Sequence, residues 1–406
     1  MEISELLSSF NRNDYQRNNF DSFLASVKFS FSVPSIHIAG TNGKGSTANY
    51  LASIYQENGY KVGKYTSPYL FKVNEIICVN NSPIEDEDFL RIFHQYEKGF
   101  KKYDLSSFEI ETFIALTYFA EQKCDLAVIE CGMGGEIDAT NVITPILSII
   151  TSISLEHTEF LGHSISEVAM QKCGIIKPKV PVLIDEFNED AVTTIYKVAK
   201  SNESTVHYIK KHIETSITED GVSLIYHPYG EVKLSSFALY STHDASFALE
   251  ASLLLNDRFP VEVDKVLNAM KKVKMECRFE IVNKSPLVIL DGAHNPEAAK
   301  LTCEALNAFN KDKPVHVIFS CFRDKNLASL LSNFGSLGDD LTLTTFPHPR
   351  ARNEDEYFLF LGDYPYQEDA ISLIKAKMEK FKDDLILITG SLAFAAYIKK
   401  ELFKDV

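Results

Sequence analysis

The chain has 406 residues, of which 45% are hydrophobic and 24% are charged, a globular composition with room for two or three domains. Its net charge of −15 argues against a general nucleic-acid-binding protein, and its seven scattered cysteines, with no Cys-x-x-Cys pair, indicate a reducing cytoplasm rather than a disulfide framework or a zinc site. No apolar run reaches the roughly 18 residues of a membrane span, and the N-terminus lacks the order of basic, apolar and small residues of a signal peptide.

Short apolar segments separated by helix-length segments predict a mostly parallel sheet in the first part of the chain. The predicted strands are 35–40, 125–130, 145–153 and 180–185. Their continuous apolar character is typical of strands buried on both faces. Helices are expected at about 46–58, ending at Gly59, and at about 109–122. Residues 205–240 alternate in polarity, which indicates hairpins, and helices follow at about 244–256 and 261–273.

A second set of strands begins near residue 287. These strands are the segment "PLVIL" before the turn "DGAHNP", then 315–322, 341–346 and 384–391, with helices between them. This order predicts a second, smaller doubly wound α/β domain. With the segment 277–286 as the linker, we predict one domain at 1–280 and another at 285–406.

The stretch "SIHIAGTNGKGSTANYL" resembles a phosphate-binding loop with unusual spacing. The common pattern would place a glycine at Ile38, five residues before Gly43, and a hydroxyl directly after Lys44. Instead Gly45 follows Lys44, and the hydroxyl arrives as Ser46. A plain turn is the alternative interpretation.

The context of this stretch favours phosphate binding. A strand leads into the glycine-rich turn and a helical pattern follows, so that backbone N–H groups and a helix N-terminus form an anion site. Three glycines let the backbone approach phosphate oxygens closely. Lys44 would supply a positive charge to the β- and γ-phosphates.

The stretch "DLAVIECGMGGEIDATN" only partly resembles a dinucleotide fingerprint. After Gly132 and Gly134, Ile137 stands where the third glycine is expected. Glu130, at the carboxyl end of an apolar strand, is the stronger feature, since a carboxylate beside a phosphate loop can hold Mg²⁺. A salt-bridged strand end is the alternative.

Polar groups follow another predicted strand in "TSISLEHTEFLG". Glu156, His157 and Glu159 lie where open α/β sheets place ligands, although a lone histidine is more often structural. Lys172, shortly afterwards in "QKCGIIKP", would by itself be a solvated helix lysine.

The turn "LDGAHNPEAA" in the second domain carries three polar groups after a strand. Asp291, His294 and Asn295 are site candidates, and an N-cap by Asn295 or Asp291 is the structural alternative.

Together these motifs resemble the folylpolyglutamate synthase and dihydrofolate synthase family of the Mur ligase superfamily. The family's loop Gly-Thr-Asn-Gly-Lys-Gly-Ser/Thr matches Gly40, Thr41, Asn42, Gly43, Lys44, Gly45 and Ser46. Further matches are "TSPYL", "FEIETFIA", "GGEIDATNVI", "LEHTEFLG", "KCGIIKP", "RFE", "ILDGAHNP", "RDK" and "ITGSL". They cover nearly the whole chain in order.

The resemblance implies a P-loop ATPase domain with a mostly parallel sheet, a smaller Rossmann-like C-terminal domain, and an active site in the cleft between them. It implies an ATP- and Mg²⁺-dependent ligase that adds L-glutamate to a folate through an acyl phosphate. Dihydropteroate is a further acceptor that the resemblance allows. It further implies a cytoplasmic monomer that binds neither nucleic acid nor membrane.

The resemblance also implies roles for individual residues. The residues Gly40–Ser46, Arg278 and Asp291 would contact ATP, with Lys44 acting on the transferring phosphoryl group. The implied magnesium ligands are Ser67, Glu130 and His157. Lys172 matches a lysine that is carbamylated in the family, and His294 would lie near the incoming glutamate or the phosphoryl group.

The sequence departs from the family pattern at several positions. They are Tyr69, Ile76, Glu136 in place of an arginine, Asp244 in place of a glutamine, Phe247 in place of an ATP-contacting asparagine, and Glu276-Cys277 in place of Pro-Gly. The substituted positions lie on the adenine and pterin sides, so the acceptor is less defined than the ATP chemistry. A divergent or catalytically silent nucleotide-binding protein is therefore an alternative function.

A peptidoglycan-type ligase is a further alternative. Enzymes of that type carry a substantial domain before the P-loop, whereas only 39 residues precede Gly40 here. We therefore expect the folate-type ligase instead.

Overall fold

The computed structural model describes residues 2–10, 17–210, 214–310, 312–338 and 340–404. Within these ranges the helices are α1 Ile3–Ser8, α2 Arg17–Ser26, α3 Lys44–Glu57, α4 Asp86–Lys102, α5 Ser107–Glu121, α6 Thr158–Leu161, α7 Ile165–Cys173, α8 Glu189–Ser201, α9 Ser241–Leu254, α10 Val263–Lys272, α11 Pro296–Phe309, α12 Leu327–Phe334, α13 Ala370–Lys380 and α14 Leu392–Leu402. The strands are β1 Ser35–Ala39, β2 Val62–Tyr65, β3 Ile77–Val79, β4 Ser82–Pro83, β5 Leu126–Glu130, β6 Leu147–Ile150, β7 Val182–Ile184, β8 Val206–Tyr208, β9 Thr215–Thr218, β10 Gly221–Tyr226, β11 Gly230–Leu234, β12 Glu280–Lys284, β13 Leu287–Leu290, β14 Val315–Phe319, β15 Asp340–Thr345, β16 Tyr366–Asp369 and β17 Leu385–Thr389.

The larger sheet is mostly parallel, as the sequence predicts. Its order is β4-β3-β2-β5-β1-β6-β7-β8. The strands β2, β5, β1, β6, β7 and β8 run parallel, and β3 and β4 form an antiparallel edge. Every residue of β1, β5 and β6 is buried. The continuous apolar runs therefore form the centre of the sheet, and their carboxyl ends meet at one edge.

Helix-terminal signals in the sequence position the helices beside this sheet. Gly59 follows α3 with a φ of +94°, the left-handed conformation that favours glycine after a helix. A capping box of Ser106 and Glu109 begins α5. The side chain of each residue accepts a hydrogen bond from the backbone N–H of the other.

Aromatic side chains fill much of the core on the α4–α5 side. Phe23 makes edge contacts with Phe100 at 5.3 Å and with Phe113 at 4.9 Å between ring centroids. All three rings are fully buried or nearly so. Such pairs add about 0.5–1.5 kcal/mol each beyond area burial, so this cluster fixes α2, α4 and α5 together.

The second sheet has six strands in the order β12-β13-β17-β14-β15-β16, and all but β12 run parallel. The predicted second α/β fold is therefore confirmed. At the amino ends of its central strands, His316 Nδ1 lies 2.7 Å from Asp340 Oδ2 and His316 Nε2 lies 2.9 Å from Asp384 Oδ2. Strands β9, β10 and β11 form a small sheet where hairpins are predicted, and residues 211–213 of that region lie outside the described residues.

The chain forms two compact units. The first comprises the described residues within Met1–Ile213, Ile225–Val232 and Asp244–Val273, and the second those within Glu214–Leu224, Lys233–His243 and Lys274–Val406. The domain boundary predicted between residues 280 and 285 stays a prediction.

All seven cysteines are buried and unpaired. Among the described helices, none is both long and apolar enough to cross a membrane.

Candidate active site

The glycine-rich loop joins β1 to α3 at the carboxyl edge of the larger sheet. β1 ends at Ala39 and α3 begins at Lys44, with Gly43 as its N-cap at a φ of +84°. Because Gly43 has no side chain, the cap residue makes no side-chain hydrogen bond to the first turn of the helix. The N–H groups of that turn and the helix dipole therefore favour an anion at this point.

The loop following β6 supports the glycine-rich loop through hydroxyl groups. Thr41 N donates to Ser152 O at 3.0 Å, and Asn42 N donates to Ser152 Oγ at 2.8 Å. Thr151 Oγ1 donates to Asn42 O at 2.6 Å, and Thr41 Oγ1 donates to Ser154 O at 3.2 Å. Our sequence interpretation missed these supports. The sequence prediction extended the strand to residue 153, whereas β6 ends at Ile150 and leaves Thr151, Ser152 and Ser154 in the loop.

Lys44 curls back over the loop that precedes it. Its Nζ donates to Gly40 O at 2.9 Å and to Thr41 O at 3.1 Å. The ammonium group is thereby held at the loop, where it would meet a bound phosphate. The residues Gly40–Ser46 form the connection from β1 into α3, and their predicted contact with ATP stays a prediction.

Glu130 lies between the loop and Ser67. Its side chain is at the carboxyl end of β5 and is only 4% exposed. Ser67 N donates to Glu130 Oε2 at 3.1 Å, and a Cβ on Gly45 would lie 3.2 Å from the same oxygen. Gly45 thus permits the close approach of a carboxylate, and two of the three predicted magnesium ligands are adjacent.

His157 occupies the N-cap position of the short helix α6, and its backbone φ is +49°. Its Nε2 lies 3.7 Å from Glu156 Oε1, and it follows the loop-supporting Ser154 by three residues. Across the described ranges, no group of three or more His, Cys, Asp or Glu side chains has the arrangement of a metal site. The predicted set contains only two residues of those types, so that finding does not decide the assignment.

The buried Glu130 carboxylate fits a hard cation such as Mg²⁺. Oxygen donors are what this ion prefers, and it usually takes one or two protein carboxylates while keeping waters and substrate phosphates as its other ligands. Glu130 supplies such a carboxylate beside the phosphate loop.

Lys172 lies in the last turn of α7 and is 2% exposed. The glycine turn after β5 packs on this turn, since Glu136 N donates to Gln171 O at 2.8 Å and a Cβ on Gly135 would lie 2.9 Å from Lys172 O. Burial raises the pKa of the Cys131 thiol, whereas the charges of Lys44 and Lys172 oppose that rise. The end of α7 that carries Lys172 therefore packs against the glycine turn that follows Glu130.

Asp138 organises the same glycine turn, a role that the sequence interpretation did not assign. It is 6% exposed and accepts from Met133 N and Thr140 N, both at 2.9 Å. Burial raises the pKa of its carboxyl, and the hydrogen bonds from Thr140 and Met133 oppose the rise. The motif "IDATN" contained this residue, but only the fold shows that its side chain points inward.

In the second unit, the Asp291 carboxylate accepts four hydrogen bonds. Ala293 N and Thr302 Oγ1 donate to Oδ1 at 3.0 and 2.9 Å, and Phe279 N and Tyr240 OH donate to Oδ2 at 2.9 and 3.0 Å. Asp291 therefore ties the segment after Arg278 to the turn after β13. The predicted contact of Asp291 with ATP stays a prediction.

The remaining polar residues of this turn have separate places. Asn295 is the N-cap of α11, and its side chain accepts from Ala298 N at 2.8 Å, as the structural alternative predicts. His294 Nδ1 lies 2.9 Å from Gly292 O, which orients the ring.

Three of the departures from the family pattern, Ile76, Phe247 and Cys277, are in the core. Ile76 is 2% exposed, and Phe247 on α9 has no exposed surface. Asp244, also on α9, lies beside the phosphate loop, because a Cβ added to Gly43 would collide with its Oδ1. Glu136 and Tyr69 are exposed. The structure thus separates buried substitutions from those at the surface.

Comparison with known families defines the class of protein. The Mur ligase middle domain matches residues 38–255, and the glutamate ligase domain of Mur ligases matches residues 277–392. The dihydrofolate synthase/folylpolyglutamate synthase of Bacillus subtilis is 31% identical over 389 residues, which are 91% of this chain and 90% of that protein. The chain belongs to the folylpolyglutamate synthase/dihydrofolate synthase family of the Mur ligases, and the resemblance inferred from its motifs is confirmed.

Solved structures agree with this assignment. Mycobacterium tuberculosis folylpolyglutamate synthase complexed with ADP and AMPPCP superposes with a TM-score of 0.90 at 25% identity, covering 98% of this chain and 97% of that one. E. coli FolC in complex with DHPP and ADP superposes with a TM-score of 0.88 at 27% identity and the same coverage.

Proposed function

We propose that the protein is a ligase that uses ATP to add L-glutamate to the γ-carboxylate of a folate, and that dihydropteroate is a second acceptor. The observation that carries the proposal is the loop Gly40–Ser46 with Lys44 folded over it and Glu130 buried beside it. The names of the relatives, which include both synthase activities, support the choice of acceptors.

The reaction would run in two transfers. An acceptor carboxylate oxygen attacks the γ-phosphorus of ATP, and the bond to the β–γ bridging oxygen breaks to release ADP. The amine of glutamate then attacks the acyl carbon, and phosphate leaves with the electrons of the C–O bond as the amine loses a proton. Positioning and charge neutralisation dominate such transfers.

The loop and its lysine provide this neutralisation. Backbone N–H groups at the start of α3 would hold the phosphate oxygens, and the ammonium group of Lys44 would stabilise the negative charge that develops on them. The hydroxyl supports from Thr151 and Ser152 fix the loop before ATP binds, so less ordering is needed on binding. Ser67, Glu130 and His157 would hold Mg²⁺, which would supply further positive charge at the phosphates.

The other assigned residues complete the proposal. Lys172 would be carbamylated, which converts a buried cation into an anionic ligand. Arg278 and Asp291 would contact ATP, and His294 would lie near the glutamate or the phosphoryl group. We also infer a reducing compartment such as the cytoplasm, which the seven unpaired thiols support.

A second candidate is a nucleotide-binding protein without ligase activity. The burial of Phe247, at the position of an expected ATP contact, and the carboxylate of Asp244 beside Gly43 favour it. A negative charge at that point would weaken phosphate binding.

Glutamate-dependent release of ADP, measured with dihydropteroate and with reduced folates as acceptors, tests the proposal. We expect ADP release that requires both an acceptor and glutamate. Binding of ATP without such release for every acceptor would favour the silent protein instead.

A further inference from the structure

Arg278 lies between two residues with left-handed backbone conformations. Cys277 has a φ of +55° and Phe279 a φ of +50°. Residues with a side chain seldom adopt this conformation, and two of them around one residue persist only where the surroundings fix them. The structure therefore contains a turn, Cys277–Phe279, that must be held by other contacts.

Cys277 is held by hydrogen bonds at both its backbone N–H and its carbonyl group. Its N–H donates to Glu280 Oε2 at 2.8 Å, and its carbonyl accepts from Gly292 N at 2.8 Å. The side chain is completely buried. The entry to the turn thus depends on the carboxylate of Glu280.

Phe279 is fixed at the exit of the turn. Its N–H donates to Asp291 Oδ2 at 2.9 Å, and its ring, 2% exposed, makes an edge contact with Phe309 at 5.8 Å between centroids. Arg278 is the residue between two buried anchors, so the conformation of the turn sets the direction of its side chain.

Lys399 on α14 in turn fixes Glu280. Its Nζ lies 2.6 Å from Glu280 Oε1 and 3.6 Å from Glu276 Oε1, and its side chain is 7% exposed. Burial lowers the pKa of Lys399, but the hydrogen bond and charge of Glu280 outweigh this and raise it overall. Glu280 therefore uses one oxygen for Lys399 and the other for the turn.

We propose that Lys399 and Glu280 are positioning residues that hold the Cys277–Phe279 turn and thereby aim the guanidinium group of Arg278 at ATP. The inference rests on the proposed function, in which Arg278 contacts ATP. Without Lys399, the Glu280 carboxylate is free to rotate, the N–H of Cys277 loses its fixed acceptor, and the turn relaxes. Lys399 then acts on ATP only through Arg278.

Steady-state ADP release by the full-length Lys399→Met variant tests the proposal. We expect the KM for ATP to rise roughly tenfold, in line with the sensitivity of catalysis to small misplacements, while the KM for glutamate stays unchanged. Lys399→Arg should restore part of the loss, because it retains the positive charge.

Lys377→Met is the matched control. Lys377 is also buried, at 8% exposure, and its Nζ also lies 2.6 Å from a carboxylate, that of Asp340. Its loss should lower thermal stability by a similar amount and leave the KM for ATP unchanged. An equal rise in the KM of both variants would show a general structural effect and overturn the proposal.

The double variant Arg278→Ala/Lys399→Met isolates the path of the effect. If Lys399 acts through Arg278, adding Lys399→Met to Arg278→Ala should change the KM for ATP by less than twofold. The same tenfold effect in both backgrounds would refute the inference. If Lys399→Met does not fold, Glu280→Gln, which keeps its size but loses the ion pair, provides the same comparison.

Failure of the proposed function would be visible separately. In that case the parent protein shows no glutamate-dependent ADP release with any acceptor. The positioning inference is then decided by calorimetric binding of AMPPCP to the same variants, where the tenfold weakening with Lys399→Met is again expected. Equal affinity of parent and variant, or absence of binding to the parent, would overturn it.

Discussion

Replacing Asp291 by asparagine tests whether this carboxylate holds the second unit together. Both oxygens accept a backbone N–H and a hydroxyl group, four donors in all. Asparagine has the same shape but presents an NH₂ group to one of the two pairs. The hydroxyl of that pair, on Tyr240 or Thr302, can turn and accept, whereas the backbone N–H of Phe279 or Ala293 is left without an acceptor.

The expected loss follows from these contacts. A buried donor left unsatisfied costs about 1–3 kcal/mol, and a hydrogen bond to a neutral acceptor is weaker than one to a charged acceptor by roughly 1 kcal/mol. Since the two remaining bonds are each weakened in this way, Asp291→Asn should destabilise the second unit by about 3–5 kcal/mol. For a domain of roughly 150–250 residues this corresponds to a fall in Tm of about 6–20 °C.

Thermal unfolding followed by circular dichroism measures this loss, with Thr302→Val as the graded control. That variant removes one donor and leaves the carboxylate charged, so its Tm should fall by less than half as much. An unchanged Tm for Asp291→Asn would contradict the hydrogen-bond network. An unchanged Tm with a large rise in the KM for ATP would instead assign Asp291 to direct contact with the nucleotide.

Three further predictions concern the larger unit. Lys44→Ala should lower glutamate-dependent ADP release by a factor on the order of 10²–10³, as for loss of other transition-state charge contacts, and a near-normal rate would contradict the loop assignment. Glu130→Gln should shift the Mg²⁺ requirement to higher concentration, and superimposable titration curves would make Glu130 a structural strand end. Burial raises the pKa of the Glu111 carboxyl from 4.5 to about 8. Between these pH values the carboxyl is ionised in the unfolded chain but neutral in the folded protein, so the free energy of unfolding falls as pH rises from 4.5 to about 8. Glu111→Gln should therefore have a higher Tm than the parent at pH 8.5 and an equal Tm near pH 4.5, and a constant difference across this range would exclude the pKa shift.

The fold was predictable from the sequence because its signals are local. Continuous apolar runs become β1, β5 and β6, buried on both faces, and glycine marks the end of α3 at Gly59. The glycine-rich loop was predictable for the same reason, since strand, turn and helix follow one another directly.

Contacts between distant segments were not predictable in the same way. Ser152 supports Asn42 from a loop more than a hundred residues away, and the partners of Asp291 come from four places in the chain. The pairing of Lys399 with Glu280 likewise depends on how α14 packs against the second sheet. No periodicity in one segment indicates such partners, because they are set by tertiary packing.

The buried cysteines make the chain suitable for thiol-directed labelling. Burial is the first cause that raises the pKa of all seven thiols, so few thiolates form at neutral pH. Maleimide reagents react with accessible thiolates. A single cysteine introduced at a solvent-facing position would therefore take up a fluorophore or spin label selectively, and none of the native cysteines would have to be removed first.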